Sequence, residues 1–539
     1  MSLEKLQTFL SVYYVYLLEI NFFLLIIAFI FNYKYIKAVL AEIETKPLFF
    51  LVLISITGII LVSFLNPKIH RIYYDEDIYN SIGQNIAHHK RAVMCNEGYY
   101  ENNELTVVAE EYNKQPAGYP YLISVIFRIF GTNEAFTFIL TNLIYGLTAI
   151  AVFMIAYLLF KDVFAGLTAC LSYILIPVNL QWFNTCAVEP STTFFASAAI
   201  LAALIYIRNK KPVNLFFLIT VLAFSFNFRS ESFLIFFVIG LLFLLKDNEI
   251  LLRREFYIYA ALLLVLSSGI ILHTYAMRGQ SWGASGPKFS LDYFLPNLKT
   301  NSMFYFDNKY FPLLFSILGI TGLFLYKNMT YVKEKVVLLS WFLAFWGIFL
   351  FFYAGTYMHD DGLSTRFSLL SYAPISIFIG LGASFLKTLP GNRVKAAGKI
   401  IIILIIFNIW LFLPFIRTQC KGESAACRMD RKYAMEFIKR LPENSIIFTH
   451  NPNMFLINKQ SAIQTSSETF NPGTIERLRG RFQGGLFLHY NYWSGVAYDD
   501  YQRSFTERIL NDYNCQLLEE TYFNNYRYGL YKINDPKKD

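Results

Sequence analysis

"RIYYDEDIYNSIGQNIA", residues 71–87, follows a hydrophobic run ending at Leu65 and sets Asp75, Glu76 and Asp77 in consecutive positions. Three carboxylates at the edge of an apolar segment are either a solvated loop or a chemical site, and the rest of the chain has to decide. Of its 539 residues 55% are hydrophobic and 16% charged, where a soluble domain carries about 25% charged residues. The chain therefore reads as a membrane protein. Its 54 Phe and 38 Tyr suit lipid-facing surfaces and interfacial belts. The formal charge of +9 sits mostly in short loops between hydrophobic runs. That is a signature of topology and excludes nucleic acid as the reason for the charge.

Working outward from the acidic stretch, apolar runs of spanning length fall at 8–33, 47–65, 133–160, 163–181, 189–207, 212–228, 232–246, 255–273, 311–327, 336–354, 367–386 and 399–416. The fold class expected is a polytopic α-helical membrane protein of about twelve spans with a small C-terminal α/β domain. Lys34, Lys37 and Lys46, then Arg208, Lys210 and Lys211, then Arg253 and Arg254, share one side if the spans alternate. Lys333 and Lys335, and the loop from Lys387 to Lys399, fall on that side too. By the positive-inside rule this side is cytoplasmic, so the acidic stretch and both termini face outward. The segment "AGYPYLISVIFRIFG" (117–131) is apolar but short and holds Pro120; it reads as an interfacial helix, since a crossing there would invert every later loop.

Three regions divide the chain: an extra helix and loop at 1–46, a transmembrane module at 47–416 with an outward segment at 66–132, and an extracytoplasmic α/β domain at 417–539. In that tail, "RKYAMEFIKRLPEN" and "SFTERILNDYN" have helical periodicity, while "SIIFTH", "GLFLHY", "QLLEETYF" and "YRYGLYKI" read as strands. The loop 274–310 reads as an outward lid or binding loop. Cys170 lies inside a span, and the other five cysteines fall outside, where oxidation is permitted. Cys420 and Cys427 in "CKGESAAC" form the expected bridge, and Cys427–Cys515 is the competing pair. No His/Cys spacing suggests a zinc site.

The outward mouths of the spans collect charged groups. Glu97, Glu101, Glu104, Glu110 and Glu111 read as solvated. Asp75 and Glu76 open an apparent helix among Tyr73, Tyr74 and Tyr79, where capping and catalysis are both open readings. Lys114 precedes Pro116 and an aromatic helix containing Tyr119; its ammonium either snorkels or binds phosphate. Glu189 stands at the mouth of a span, either capping it with Pro190 or marking function. Arg229 and Glu231 in "FNFRSESF", and His359, Asp360, Asp361 and Arg366 in "MHDDGLSTRF", complete the set.

In order and sidedness these segments resemble the membrane glycosyltransferases of the GT-C class, in the branch of lipid A aminoarabinose transferases and protein O-mannosyltransferases. "DEDIYNSIGQNIA" is similar to that branch's Asp–Glu, Tyr, Ile–Ala pattern, and "NKQPAGYPYLISVIFRIFG" to its Lys–Pro–x–Ala–Gly–Tyr and Phe–Gly pattern. Gln115 departs from it by separating Lys114 from Pro116. The resemblance implies Asp75 as the general base of an inverting transfer, with Glu76 and Glu189 as further acids, while Asp77 is expected to be solvated. It also implies Lys114 at the donor phosphate. The residues themselves add Arg366, and then Tyr79, Tyr119 and Arg229, as substrate-binding candidates. The implied donor is a polyprenyl-phosphate sugar and the acceptor an extracytoplasmic lipid, glycan or protein. No cofactor is required, although a magnesium ion could bridge Asp75, Glu76 and phosphate through hard oxygen ligands. No counterpart of the eukaryotic luminal repeat domain is present, which points to a prokaryotic cell membrane. The rival readings are a transporter or flippase of lipid-linked sugars, which would place charge at midplane within internal repeats, and an O-antigen-type ligase.

Overall fold

The computed structural model describes residues 2–102, 104–280, 286–327, 330–388, 394–417, 422–495 and 500–537. In chain order the helices begin with α1 (Leu3–Leu40), α2 (Thr45–Leu65), α3 (Asp75–His89), α4 (Gly118–Phe130) and α5 (Ala135–Phe160). Next come α6 (Val163–Ile174), α7 (Pro177–Trp182), α8 (Glu189–Asn209), α9 (Pro212–Phe226) and α10 (Leu234–Lys246). Then follow α11 (Arg254–Leu266), α12 (Ser268–Ala276), α13 (Phe294–Phe304), α14 (Leu313–Phe324), α15 (Val332–Ile348), α16 (Tyr372–Thr388) and α17 (Val394–Arg417).

Six helical stretches among the described residues are long and apolar enough to cross a membrane, and α11 with α12, bent by 43°, makes a seventh. The expected count of twelve is not reached by such helices. The run 163–181 is cut into α6 and α7, because Pro177 cannot continue the ladder of the helix before it. The runs 212–228 and 311–327 yield helices of 15 and 12 residues. The segment 117–131 is, as expected, a short helix, α4, of 13 residues.

The chain divides into two compact units. The first, residues 1–68, 114–119 and 138–418, is helical. Its helices approach closely where small residues meet. A Cβ on Gly382 would lie 1.9 Å from the Leu318 carbonyl oxygen, and one on Gly322 2.0 Å from that of Phe378, so α14 and α16 touch backbone to backbone. Asp162 caps α6 through the Ala165 amide at 3.0 Å and accepts from Tyr326 and Ser384 as well.

The basic loops of this unit meet one another. Glu42 pairs with Lys161 at 3.5 Å and accepts from Arg208 at 3.0 Å. Asp247 pairs with Lys210 at 2.7 Å and Arg253 at 3.4 Å, and Lys246 pairs with Glu334. They gather at the end of α8 opposite Glu189.

The second unit, residues 69–113, 120–137 and 419–539, is built on a seven-stranded sheet. Its strands are β1 (Met94–Glu101), β2 (Glu104–Glu111), β3 (Ser445–Thr449), β4 (Ser461–Gln464), β5 (Gly485–Tyr490), β6 (Tyr513–Phe523) and β7 (Tyr526–Pro536), in spatial order β2-β1-β4-β3-β5-β7-β6. The central strands β4, β3 and β5 are parallel. Buried on both faces, β3 reads as a continuous apolar run. Ile447 packs with Phe437, Met454 and Phe455 on one side, while Ile446 and Phe448 pack with Leu478 and Ile509 on the other.

The acidic stretch expected as solvated loop is the β1–β2 hairpin, and β1 joins the tail's sheet through Glu97–Ile463 and Gly98–Ala462. Glu97 is accordingly not solvated; it is buried and pairs with Arg477 at 3.0 Å. Cys95 and Cys427 are buried free thiols, Cys515 is free as well, and Cys186 is buried. The Cys427–Cys515 alternative is thus not formed, since Cys427 packs into the core beside Tyr528. Cys420 lies outside the described residues.

Candidate functional site

In the helical unit the sequence before α4 folds against the end of α9. The Gly118 amide donates to the Asn227 carbonyl at 2.9 Å, and a Cβ at Gly118 would sit 2.4 Å from that oxygen. Only glycine allows this approach, which brings the Lys114–Gly118 segment beside Arg229, two residues past Asn227. From the other side, His273 on α12 meets the Lys114 carbonyl oxygen with Nε2 at 3.2 Å.

Lys114, Arg229, Arg278 and Lys288 line one cavity of about 370 Å³, with Glu231 on its wall and Met277, Phe289, Phe349 and Phe352 supplying apolar surface. Glu231 is already engaged by Arg229 Nε at 2.5 Å. Arg278 stacks on the Tyr275 ring at 4.2 Å. Partial burial, and then the neighbouring Lys114 charge, lower the Lys288 pKa. The cavity therefore carries more positive than negative charge around an apolar floor, a setting for an anion on an apolar carrier.

Glu189 opens α8 and is 1% exposed. Arg229 Nη1 reaches its Oε1 at 2.5 Å and Arg366 Nε at 3.2 Å. Both guanidiniums also lie over the Phe367 ring, at 5.5 and 4.9 Å. Thus Glu189, Arg229 and Arg366, read separately along the sequence, form one bridge, in which the acid's neighbours are guanidiniums. Tyr119 is fully buried with its hydroxyl 3.4 Å from that of Thr141 and is not among the cavity-lining residues. The side chains of His359, Asp360 and Asp361 lie outside the described ones. Lys288, Arg278, His273 and Asn227 were not anticipated; "SFNFRS", "LHTYAMRG" and "GPKFS" held them without a spacing that marks them.

In the second unit Asp75, Glu76 and Asp77 form the first turn of α3, where carboxylates answer the helix dipole. Tyr73, just before it, is held at φ +34°, a region costing a bulky residue about 1–2 kcal/mol. The three acids part ways. Asp75 stays half-buried at the first position. Glu76 is fully buried, accepts from the Arg71 amide at 2.5 Å, and burial raises its pKa.

Asp77, expected to be solvated, is 2% exposed. It accepts from Asn451 at 3.3 Å, lies 3.4 Å from His70 and 3.9 Å from Arg431. Burial and Arg431 push His70 down, but Asp77 and Glu76 outweigh them and hold it at about 9. Asp430, bonded by the Tyr492 amide at 2.8 Å and by the Tyr74 hydroxyl, is pushed by burial up to about 8. Tyr79 is buried on the same helix.

Residues 114–273 match the family model of dolichyl-phosphate-mannose-protein mannosyltransferase; the first and last of them are the pair joined by the His273–Lys114 contact. A comparison with curated protein sequences gave no match. Among solved structures, ArnT from Cupriavidus metallidurans aligns over 89% of this chain and 97% of its own at 11% identity. Its TM-score is 0.56 in the apo state and 0.55 when bound to undecaprenyl phosphate. The archaeal oligosaccharyltransferase AglB from Archaeoglobus fulgidus, in complex with an inhibitory peptide and a dolichol-phosphate, aligns over 90% of this chain and 74% of its own. Its identity is 11% and its TM-score 0.52. The resemblance to GT-C membrane glycosyltransferases holds at the level of the fold.

Proposed function

From a chain with the GT-C membrane glycosyltransferase fold, we propose an enzyme that moves a sugar from a polyprenyl-phosphate donor to an acceptor outside the cytoplasm. The observation that carries this reading is the cavity of Lys114, Arg229, Arg278 and Lys288. Such a cavity fits a phosphate, the ammoniums as point charges and the guanidiniums as forks. As the bond from the anomeric carbon to the phosphate oxygen breaks, the electron pair leaves with the polyprenyl phosphate, and fixed cations favour that charge.

A place for the lipid chain supports the same reading. Leu339, Phe342 and Trp346 on α15 line an almost wholly apolar groove of about 270 Å³, and Phe349 lines the cation cavity. Spaced i, i+3, i+7 and i+10, these four share one helix face. The phosphate would sit at the end of α15 and the isoprenoid run along it.

Asp75 acts as general base, taking the acceptor proton as the acceptor oxygen attacks the anomeric carbon in one inverting displacement. Glu189 fixes the two guanidiniums. Neither nucleotide nor metal is called for by this chemistry, and assays with and without chelator test the magnesium alternative. The basic loops lie in the cytoplasm and the second unit outside it.

The test is purified full-length chain in nanodiscs with synthetic polyprenyl-phosphate sugars and a membrane-extract acceptor. Release of free polyprenyl phosphate with glycosylated acceptor is expected. Movement of intact lipid-linked sugar across vesicles without cleavage would replace this reading with a transporter, and turnover of diphosphate-linked donors alone with a ligase.

A further inference from the structure

A second cation-lined cavity lies at the other end of the helical unit. Glu189 and Arg208 occupy the first and last turns of α8, so this end is about 30 Å from the donor cavity at 1.5 Å per residue. The cavity, about 370 Å³, is lined by Lys161, Arg208, Lys246 and Glu334, with Leu159 and Leu204 among its apolar walls. Its three cations come from the C-terminal ends of α5, α8 and α10.

Solvated snorkelling is the ordinary fate of such residues, but it sends each charge separately into water. Here three separate helix ends aim their charges around one recess with a leucine wall. Two carboxylates answer the three cations. Glu334 holds Lys246, and Glu42, which is not a lining residue, is shared between Lys161 at 3.5 Å and Arg208 at 3.0 Å. Lys161 is held at φ +53°, its ammonium 4.8 Å above the Tyr157 ring, and is 51% exposed. One further negative charge would balance the group, and the apolar wall selects an anion that carries hydrocarbon.

We propose that this cavity binds the headgroup of an anionic glycerophospholipid of the leaflet facing the basic loops. The phosphate lies between Lys161 and the Arg208 fork, with an acyl chain along Leu159 and Leu204. This site rests on the membrane embedding of the helices and not on the transfer chemistry, so it survives or fails independently of the donor cavity.

The experiment uses the full chain in nanodiscs of phosphatidylcholine with a minor fraction of phosphatidylglycerol, followed by exchange into detergent and mass spectrometry of retained lipid. Wild type should keep phosphatidylglycerol preferentially. The Lys161→Gln/Arg208→Gln double variant should lose about 30-fold of that preference, at roughly fivefold per surface cation, and Lys161→Arg should keep most of it. Equal retention of both lipids by wild type, or undiminished preference in the double variant, overturns the proposal. Displacement of the lipid by millimolar inorganic phosphate overturns the lipid assignment in favour of a free-anion site. Should the double variant not fold, wild-type melting in phosphatidylglycerol against pure phosphatidylcholine nanodiscs decides: a higher Tm supports the site and an identical one overturns it.

Discussion

Arg229 holds Glu189 with its Nη1 2.5 Å from Oε1, across 40 positions of sequence, and Glu189 has almost no contact with solvent. Removing one partner of a buried ion pair costs about 3–5 kcal/mol. Arg366 still faces the acid after Arg229→Gln, so that variant should lie at the low end and Glu189→Gln at the high end. The double variant should be less destabilised than the sum of the two, as for residues in one network. Thermal melting of the three purified variants measures this; strict additivity would mean that the pair is not coupled.

Lys114 lines the proposed donor cavity, with its backbone fixed by His273. Hydrogen bonds to charged groups are worth about 1.5–3 kcal/mol, so Lys114→Ala should weaken binding of polyprenyl phosphate about 10- to 100-fold. Lys114→Arg should recover part, because a fork does not overlay a point charge. Scintillation proximity binding of labelled lipid reads the effect. Unchanged affinity in Lys114→Ala would leave Lys114 as a snorkelling residue.

The topology makes its own prediction. The loops 32–46, 208–211, 247–254, 327–335 and 387–399 are expected in the cytoplasm and the tail outside. In a Cys420→Ser/Cys515→Ser background, a membrane-impermeant maleimide applied to intact cells should label Glu507→Cys and spare Lys211→Cys. The reverse pattern would invert the orientation.

His70 gives a pH dependence with a definite sign. Its folded pKa of about 9 exceeds the ordinary value near 6.5, so the fold binds a proton that the unfolded chain has released. The stability it contributes is complete below about pH 6.5 and is lost as pH rises toward 9, on the order of 3 kcal/mol. Asp430, raised to about 8, acts in the same direction from about pH 4 upward. Wild type should melt lower at pH 9 than at pH 6.5, with a smaller difference in His70→Gln. An equal difference in both would remove His70 as the cause.

Much of this architecture is written in local pattern. β3 and β5 were readable because both faces are buried, giving short apolar runs, and Glu189, Arg229 and Arg366 stood out as charges at apolar mouths. What pattern could not show is which distant segment satisfies a polar one. "NEGYYENNELTVVAEE" looks like a solvated loop because its partners, Ile463 and Arg477, lie more than 350 positions away. Asp77 looks solvated for the same reason, its partners Arg431 and Asn451 belonging to the tail. Lys288 and Arg278 follow no periodicity; only the folded cavity makes them neighbours of Lys114.

The opening acids then separate by environment as well as by resemblance. Asp75 is the half-buried one, and loss of a general base typically costs about a hundred- to ten-thousand-fold in rate. Asp75→Asn should therefore abolish transfer while melting temperature and donor binding stay near wild type. Glu76→Gln keeps the volume and an acceptor for the Arg71 amide, and the raised pKa of Glu76 makes neutralisation mild; partial activity is expected. Asp77→Asn removes the charge facing His70 and Arg431 in a buried cluster, where an unpaired buried charge costs several kcal/mol. It should lower the melting temperature clearly, and activity only in proportion to the folded fraction. Transfer assays and melting curves on the three variants test the assignment together. Full activity in Asp75→Asn would leave Asp75 as a helix-start residue, and a wild-type melting temperature in Asp77→Asn would contradict the buried network.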